Sequence, residues 1–187
     1  MNDTYNWRAL LRLAHLEFAR RLAAVTDWDG PTPDTEWRVR DLVTHVIDEQ
    51  RDVPALLAGV DPARARADLE PLREDLRGEW ELYSLAAAGA WAATPDDAEV
   101  HLSDDTVSAA EFLRERVSDV TIHTWDLARA IGADEQLEDE LIAAVWTVFE
   151  PQAETLAATS LFAHPVTIPD DAPLQSRLLA LTGRDPR

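Results

Sequence analysis

The sequence predicts an all-α fold, a bundle of four or five long helices with a short additional helix in a C-terminal tail. Three observations predict it. Apolar residues return every three or four positions in five separate segments, the spacing of one buried helix face. Clusters of Gly, Pro and Asp stand between those segments, where a helix must stop. The 187 residues, 46% of them hydrophobic, suffice for one sizeable core.

The first helix is expected from about Thr4 to Val25, where Trp7, Leu10, Leu11, Ala14, Phe18, Leu22 and Val25 form one stripe. "TDWDGPTPDTEW" then breaks it. A second helix is expected from about Val39 to Leu57, ending before Gly59. A third runs from about Pro62 to Ala93, with Pro71 inside it as a point of kinking or restart. "EVHLSDDTVS" reads as two short extended pieces around a Ser-Asp-Asp turn. Ser108, with Glu111 three residues on, caps a fourth helix from Ala109 to Ile131 that stops at Gly132. A fifth, from about Glu135 to Ala158, carries Leu141, Val145, Val148 and Phe149. In the tail, Asp170 or Asp171 followed by Pro173 starts a short amphipathic helix stopped by Gly183. Residues 1–158 are therefore expected to form the bundle and 159–187 an extension packed on it, a single domain overall.

Composition excludes several kinds of protein. There is no cysteine, so disulfides, thiolate metal sites and cysteine nucleophiles are all out, and any metal must be held by nitrogen and oxygen. The formal charge is −19, from 36 acidic residues against 17 basic ones, every one of them arginine. Such acidity opposes binding to nucleic acid or anionic membranes through the bulk surface. No apolar run approaches the roughly 18 residues of a membrane span, and the N-terminal stretch lacks the pattern of a signal peptide. A cytoplasmic location is the expectation. P-loop, GxSxG and GxGxxG patterns are absent, which leaves nucleotide hydrolysis and serine hydrolase chemistry without support.

Bundles build metal and ligand sites from side chains that face inward on neighbouring helices. On the second helix the stripe is Leu42, Val46, Val53, Leu56 and Leu57; Glu49 falls inside it and His45 on its edge. A carboxylate facing a core is costly unless paired, protonated or metal-bound. Taken alone, "HVIDEQ" reads first as a partly exposed histidine with a glutamate four residues on. In "SDVTIHTWDLARAIG", Asp119 and His123 project from one face of the fourth helix beside Val120, Leu127 and Ile131. His45, Asp119 and His123 together supply two nitrogens and one oxygen, a set that suits zinc, nickel or iron(II) with coordination positions open. Asp126 reads as a support for the histidine ring or as a solvated residue. Trp125 and Trp37 read as packing, Trp37 as a staple ahead of the second helix. His15, His101 and His164 read as structural or surface residues.

"TPDTEWRVRDLVTHVIDEQ", "RVSDVTIHTWDLARAIG" and "LLALTGRDP" resemble the mycothiol-dependent maleylpyruvate isomerase N-terminal family, within the DinB-like four-helix bundle superfamily. The chain further resembles actinobacterial metal-binding proteins that end in a Gly-Arg-Asp-Pro motif. The resemblance spans nearly the whole chain, with its motifs in order. It implies that His45, Asp119 and His123 hold a divalent metal, zinc foremost. The isomerase usually has glutamate at the position of Asp119, so the carboxylate here reaches one methylene less far. It also has a separate C-terminal domain where this sequence has a short tail, so maleylpyruvate is not carried over as substrate.

Three functions are compatible with this reading. The resemblance implies a metal-dependent transferase or isomerase that uses a low-molecular-weight thiol, mycothiol, with an electrophilic second substrate. Glu49, if it faces the metal cavity, would shuttle a proton. A metal-activated hydrolase of a small molecule would keep the metal but not need the thiol. A non-catalytic stress-response bundle would use the metal as a staple. Alanine-rich helix faces also allow a homodimer.

Overall fold

The structure, a computed structural model, describes residues 5–34, 36–103, 105–153 and 165–187. In chain order come α1 (Trp7–Ala24), α2 (Val39–Arg51), α3 (Val53–Leu57), α4 (Pro62–Ala67), α5 (Leu76–Ala93), β1 (Glu99–His101), β2 (Thr106–Ser108), α6 (Ala109–Ile131), α7 (Asp139–Phe149), a 3₁₀ turn (Glu150–Gln152) and α8 (Leu174–Leu181). The four long helices form a ring in which α1 and α2 each pack against both α5 and α6. Between them lie Leu10, Phe18, Val43, Ile47, Trp91, Phe112 and Leu127, all essentially without solvent contact. The fold is the all-α bundle that the periodicity predicts.

Local chemistry sets the helix ends. Asn6 caps α1 by accepting from the Ala9 amide at 3.1 Å. Ser108 and Glu111 form the reciprocal cap of α6: the Glu111 amide donates to Ser108 Oγ at 3.2 Å, and the Ser108 amide donates to Glu111 Oε2 at 2.9 Å. At the other end Gly132 adopts φ +65°, the left-handed conformation that closes a helix at little cost only for glycine. The two short strands before α6 pair antiparallel, Val100 opposite Val107.

Three expected helices differ in extent. The second is divided at Asp52 into α2 and α3, because Pro54 has no amide hydrogen to give to the Gln50 carbonyl. The third is not continuous: α4 ends at Ala67 and α5 begins only at Leu76. Pro71 drives the residue before it out of helical geometry, and Asp75 opens a fresh helix by accepting from the Gly78 amide at 3.1 Å. The fifth begins at Asp139 rather than Glu135. Here Arg21 donates to the carbonyls of Asp134 and Gln136, and Gln175 accepts from the Leu137 amide, so distant side chains hold 134–137 in a non-helical course. Residues 154–158 of that expected helix, with Thr4 and His164, lie outside the described residues.

α7 packs on α6, and α8 packs on α7. Leu178 and Leu179 of α8 join Ile122, Trp125, Ile142 and Val145 in a second, smaller core. This layer carries the Gly-Arg-Asp-Pro segment back to α6. No helix among the described residues is long and apolar enough to cross a membrane.

Candidate metal centre

His45 on α2 and Asp119 and His123 on α6 meet where the two helices face one another. One ligand atom from each lies within 4.8 Å of the others. His123 Nε2 is 3.6 Å from Asp119 Oδ1, and His45 Nε2 is 4.0 Å from Asp119 Oδ2. Their spacing on α6 explains half of this arrangement, since residues four apart stand one above the other on a helix face. The packing of α2 on α6 supplies the rest.

Each group is supported from behind. His123 is buried, and its Nδ1 lies 3.0 Å from Asp126 Oδ2. Asp126 is buried too and receives a two-pronged hydrogen bond from Arg184, Nη2 at 2.8 Å and Nε at 3.2 Å. Burial alone would raise the Asp126 pKa, but the His123 and Arg184 hydrogen bonds outweigh it and hold the carboxylate below its ordinary range. An ionised Asp126 accepts a hydrogen bond from the Nδ1–H of His123, which leaves the Nε2 lone pair directed at Asp119. Asp126 is thus the support for the histidine ring rather than a solvated residue. Burial likewise disfavours a charged His123, yet the Asp119 and Asp126 carboxylates reverse this and raise its pKa. His45 goes the other way, lowered chiefly by burial.

Glu49 lies one turn beyond His45, with Oε1 at 3.7 Å from His45 Nε2 and 2.6 Å from Arg116 Nη1. Burial first, and the neighbouring Asp119 second, push its pKa up to about 7. Arg116 carries a buried cation between Glu49 and Asp119, and those carboxylates raise its pKa against the effect of burial.

Trp37 takes a part that the staple reading did not foresee. Its half-buried ring lies 4.7 Å from the His45 ring and 5.8 Å from that of His123, over the two imidazoles. The connection before α2 fixes it there: Thr32 donates from both its amide and its hydroxyl to the Trp37 carbonyl. Trp125 is buried in the small core beneath α8, under the Arg129 guanidinium. His15 is buried among the helices against Gln50 and Trp80, and His101 is exposed on β1 beside Thr106.

Arg116 and Arg184 are the residues that sequence reasoning missed. Arg116 stands one turn before Asp119 on the same face, a signal that was available. Arg184 sits 58 positions from the carboxylate it holds, and no local pattern links them.

The donor set fits a divalent cation. Two imidazole nitrogens and a carboxylate converge, and Asp119 Oδ2 and Glu49 Oε2 are buried with no hydrogen-bond donor among the described residues. Buried acceptors left so are costly unless a proton or a cation meets them. Above the cluster opens a cleft of 1770 Å³.

Fold and cluster together define a four-helix bundle with a histidine–carboxylate centre built across two facing helices. Residues 11–128 match the family described as Mycothiol maleylpyruvate isomerase N-terminal domain, and the chain belongs to that family. An uncharacterized protein of Mycobacterium tuberculosis, recorded from strains CDC 1551 and H37Rv, is 30% identical over 162 residues, covering 84% of this chain and 85% of its own length. Two crystal structures share the fold at 21% identity: the mycothiol-dependent maleylpyruvate isomerase, with a TM-score of 0.61 over 80% of this chain and 71% of that one, and a point mutant of it, at 0.60 over 81% and 68%.

Proposed function

We propose that this protein is a metal-dependent enzyme that activates a low-molecular-weight thiol, mycothiol by family, for transfer to or isomerisation of an electrophile. One observation carries the reading: His45, Asp119 and His123 converge on a point at the floor of an open cleft, with their partners behind them. His45, Asp119 and His123 would hold the cation, zinc foremost, with nickel and iron(II) compatible with the same donors. A divalent cation there would lower the pKa of a bound thiol and so favour its anionic sulfur near neutral pH.

The remaining steps belong to the chain. Asp126, charged and clamped by Arg184, holds the His123 ring in one tautomer and one orientation. Glu49, with a pKa near neutrality and within reach of the cluster, takes the thiol proton and returns it to the substrate. Trp37 covers the two imidazoles and keeps bulk water from that side.

The test is elemental analysis of tag-free protein beside His45→Ala and His123→Ala. Near-stoichiometric metal in the wild type, lost in both variants, is the expected result, followed by thiol-dependent consumption of an electrophile. Turnover that proceeds without added thiol would assign the site to hydrolysis instead. A wild type that stays empty after reconstitution with each cation refutes the reading. Glu49→Gln should keep its metal and lose turnover; loss of metal would make Glu49 a ligand or a support and end its role as proton shuttle.

A further inference from the structure

The two facing helices carry the same kind of pair in opposite order. α6 presents Asp119 and, four residues on, His123, with Oδ1 and Nε2 3.6 Å apart. α2 presents His45 and, four residues on, Glu49, with Nε2 and Oε1 3.7 Å apart. Each pair stands on one face of its helix, and α2 and α6 pack together. Two imidazoles and two carboxylates would make a complete tetrahedral set, the closed arrangement of a structural zinc site. Only three of the four converge, however. His45, Asp119 and His123 bring ligand atoms within 4.8 Å of one another, and Glu49 falls outside that group.

Reach is not the reason, because Glu49 stands as close to its histidine as Asp119 does to its own. Arg116 is the reason. It stands one turn before Asp119 on α6, and its Nη1 holds Glu49 Oε1 at 2.6 Å, a charge-assisted bond. The guanidinium is itself fixed. Its Nη2 lies 3.0 Å from Glu115, its carbon lies 5.2 Å over the Phe112 ring, and the side chain is only 13% exposed. It also sets a buried cation near Asp119, and a second cation beside it is repelled.

We infer that Arg116 is a positioning residue that keeps Glu49 off the metal and so leaves a coordination position open for a sulfur ligand. This rests on the functional reading above for the metal, and adds to it why the site is open rather than closed. Without the guanidinium, the Glu49 carboxylate is already on the right face to complete the set. An ordinary supporting residue behaves in the opposite way: removing it loosens the ligands and weakens metal binding about 10–100-fold. The sign of the change therefore separates the two roles.

The experiment compares tag-free wild type, Arg116→Met, Arg116→Gln and the double variant Arg116→Met with Glu49→Gln. Methionine keeps an apolar stem over Phe112, and glutamine keeps a donor there should methionine prevent folding. Zn²⁺ affinity is measured by competition with a chromophoric chelator. Co²⁺-loaded protein is then titrated with 2-mercaptoethanol and followed by sulfur-to-cobalt charge-transfer absorption. The wild type should develop that absorption. Either single variant should bind Zn²⁺ at least about tenfold more tightly and lose most of the absorption, because Glu49 now holds the position. The double variant, with no carboxylate at 49, should return both readings toward those of the wild type. Unchanged or weaker Zn²⁺ binding in the single variants, undiminished absorption in them, or no absorption in the loaded wild type would overturn the inference. A wild type that takes up neither cation sinks the functional reading and this inference with it; one that loads both, with single variants that bind no tighter, sinks this inference alone.

Discussion

Replacing Arg184 by methionine strips Asp126 of two of the three hydrogen bonds it accepts. Asp126 is only 2% exposed, so it has little access to water as a substitute. Removing one partner of a buried ion pair costs about 3–5 kcal/mol. Arg184 lies at the rim, its side chain 15% exposed, and His123 remains as a donor, so the lower end applies, about 3 kcal/mol. For a chain of this size that is a fall in Tm of roughly 6–12 °C. Asp126→Asn in the same background removes the stranded charge and should restore about 2 kcal/mol, a coupling visible in a double-mutant cycle by urea denaturation. Metal affinity gives an independent readout. Loosening the His123 ring should weaken it about 10–100-fold in Arg184→Met, while His101→Ala, on exposed β1, leaves it unchanged. A stability loss below about 0.5 kcal/mol with no coupling to Asp126 would refute the idea that the tail supports the histidine.

Acid stability should depend on His15. Burial lowers its pKa from 6.5 to about 4, against the raising effect of the Gln50 hydrogen bond. The folded protein therefore resists a proton that the unfolded chain accepts: the stabilisation is complete above pH 6.5 and is lost as pH falls toward 4. The loss amounts to about 3 kcal/mol, and His15→Phe should flatten the stability–pH curve in that window. Two glycines should respond oppositely to alanine. Gly132→Ala forces a side chain into φ +65° and should cost about 1 kcal/mol. Gly89→Ala, inside α5 with nothing within 4 Å of the new methyl, should add up to about 1 kcal/mol; chemical denaturation of both checks the pair. Ser108→Ala should cost about 1 kcal/mol through loss of the α6 cap, and calorimetry should show Tm lower by roughly 2–4 °C.

The ends of α6 were legible because both signals are local: a serine with a glutamate three residues on, and a glycine after the last apolar residue. The start of α7 was not, because Arg21 and Gln175, distant in sequence, hold 134–137. Proline gave the restart before α5 in outline, but Asp75 as its cap looks in sequence like one acidic residue among many. In the site, helical spacing put Asp119 beside His123, and their shared inward lean with His45 on a neighbouring helix, seconded by the resemblance, joined the three. Trp37 does pack against the core, but its contact with the two imidazoles was not legible because its position depends on a loop, where no periodicity operates. Arg184 was beyond reach because its partner is fixed only when α8 lies on α7.

The bridge from Arg184 to Asp126 also imposes an order of events. All four helices of the ring are complete by Ile131, so an emerging chain can bury its main core well before residue 184 is made. Until then Asp126 has no guanidinium, and the imidazole of His123 is held from behind by an unpaired carboxylate. Folding of the bundle and maturation of its polar centre are thus separate stages, and the tail determines when the second is finished. A chain stopped short of Arg184 would still fold into a recognisable bundle while its centre stayed immature.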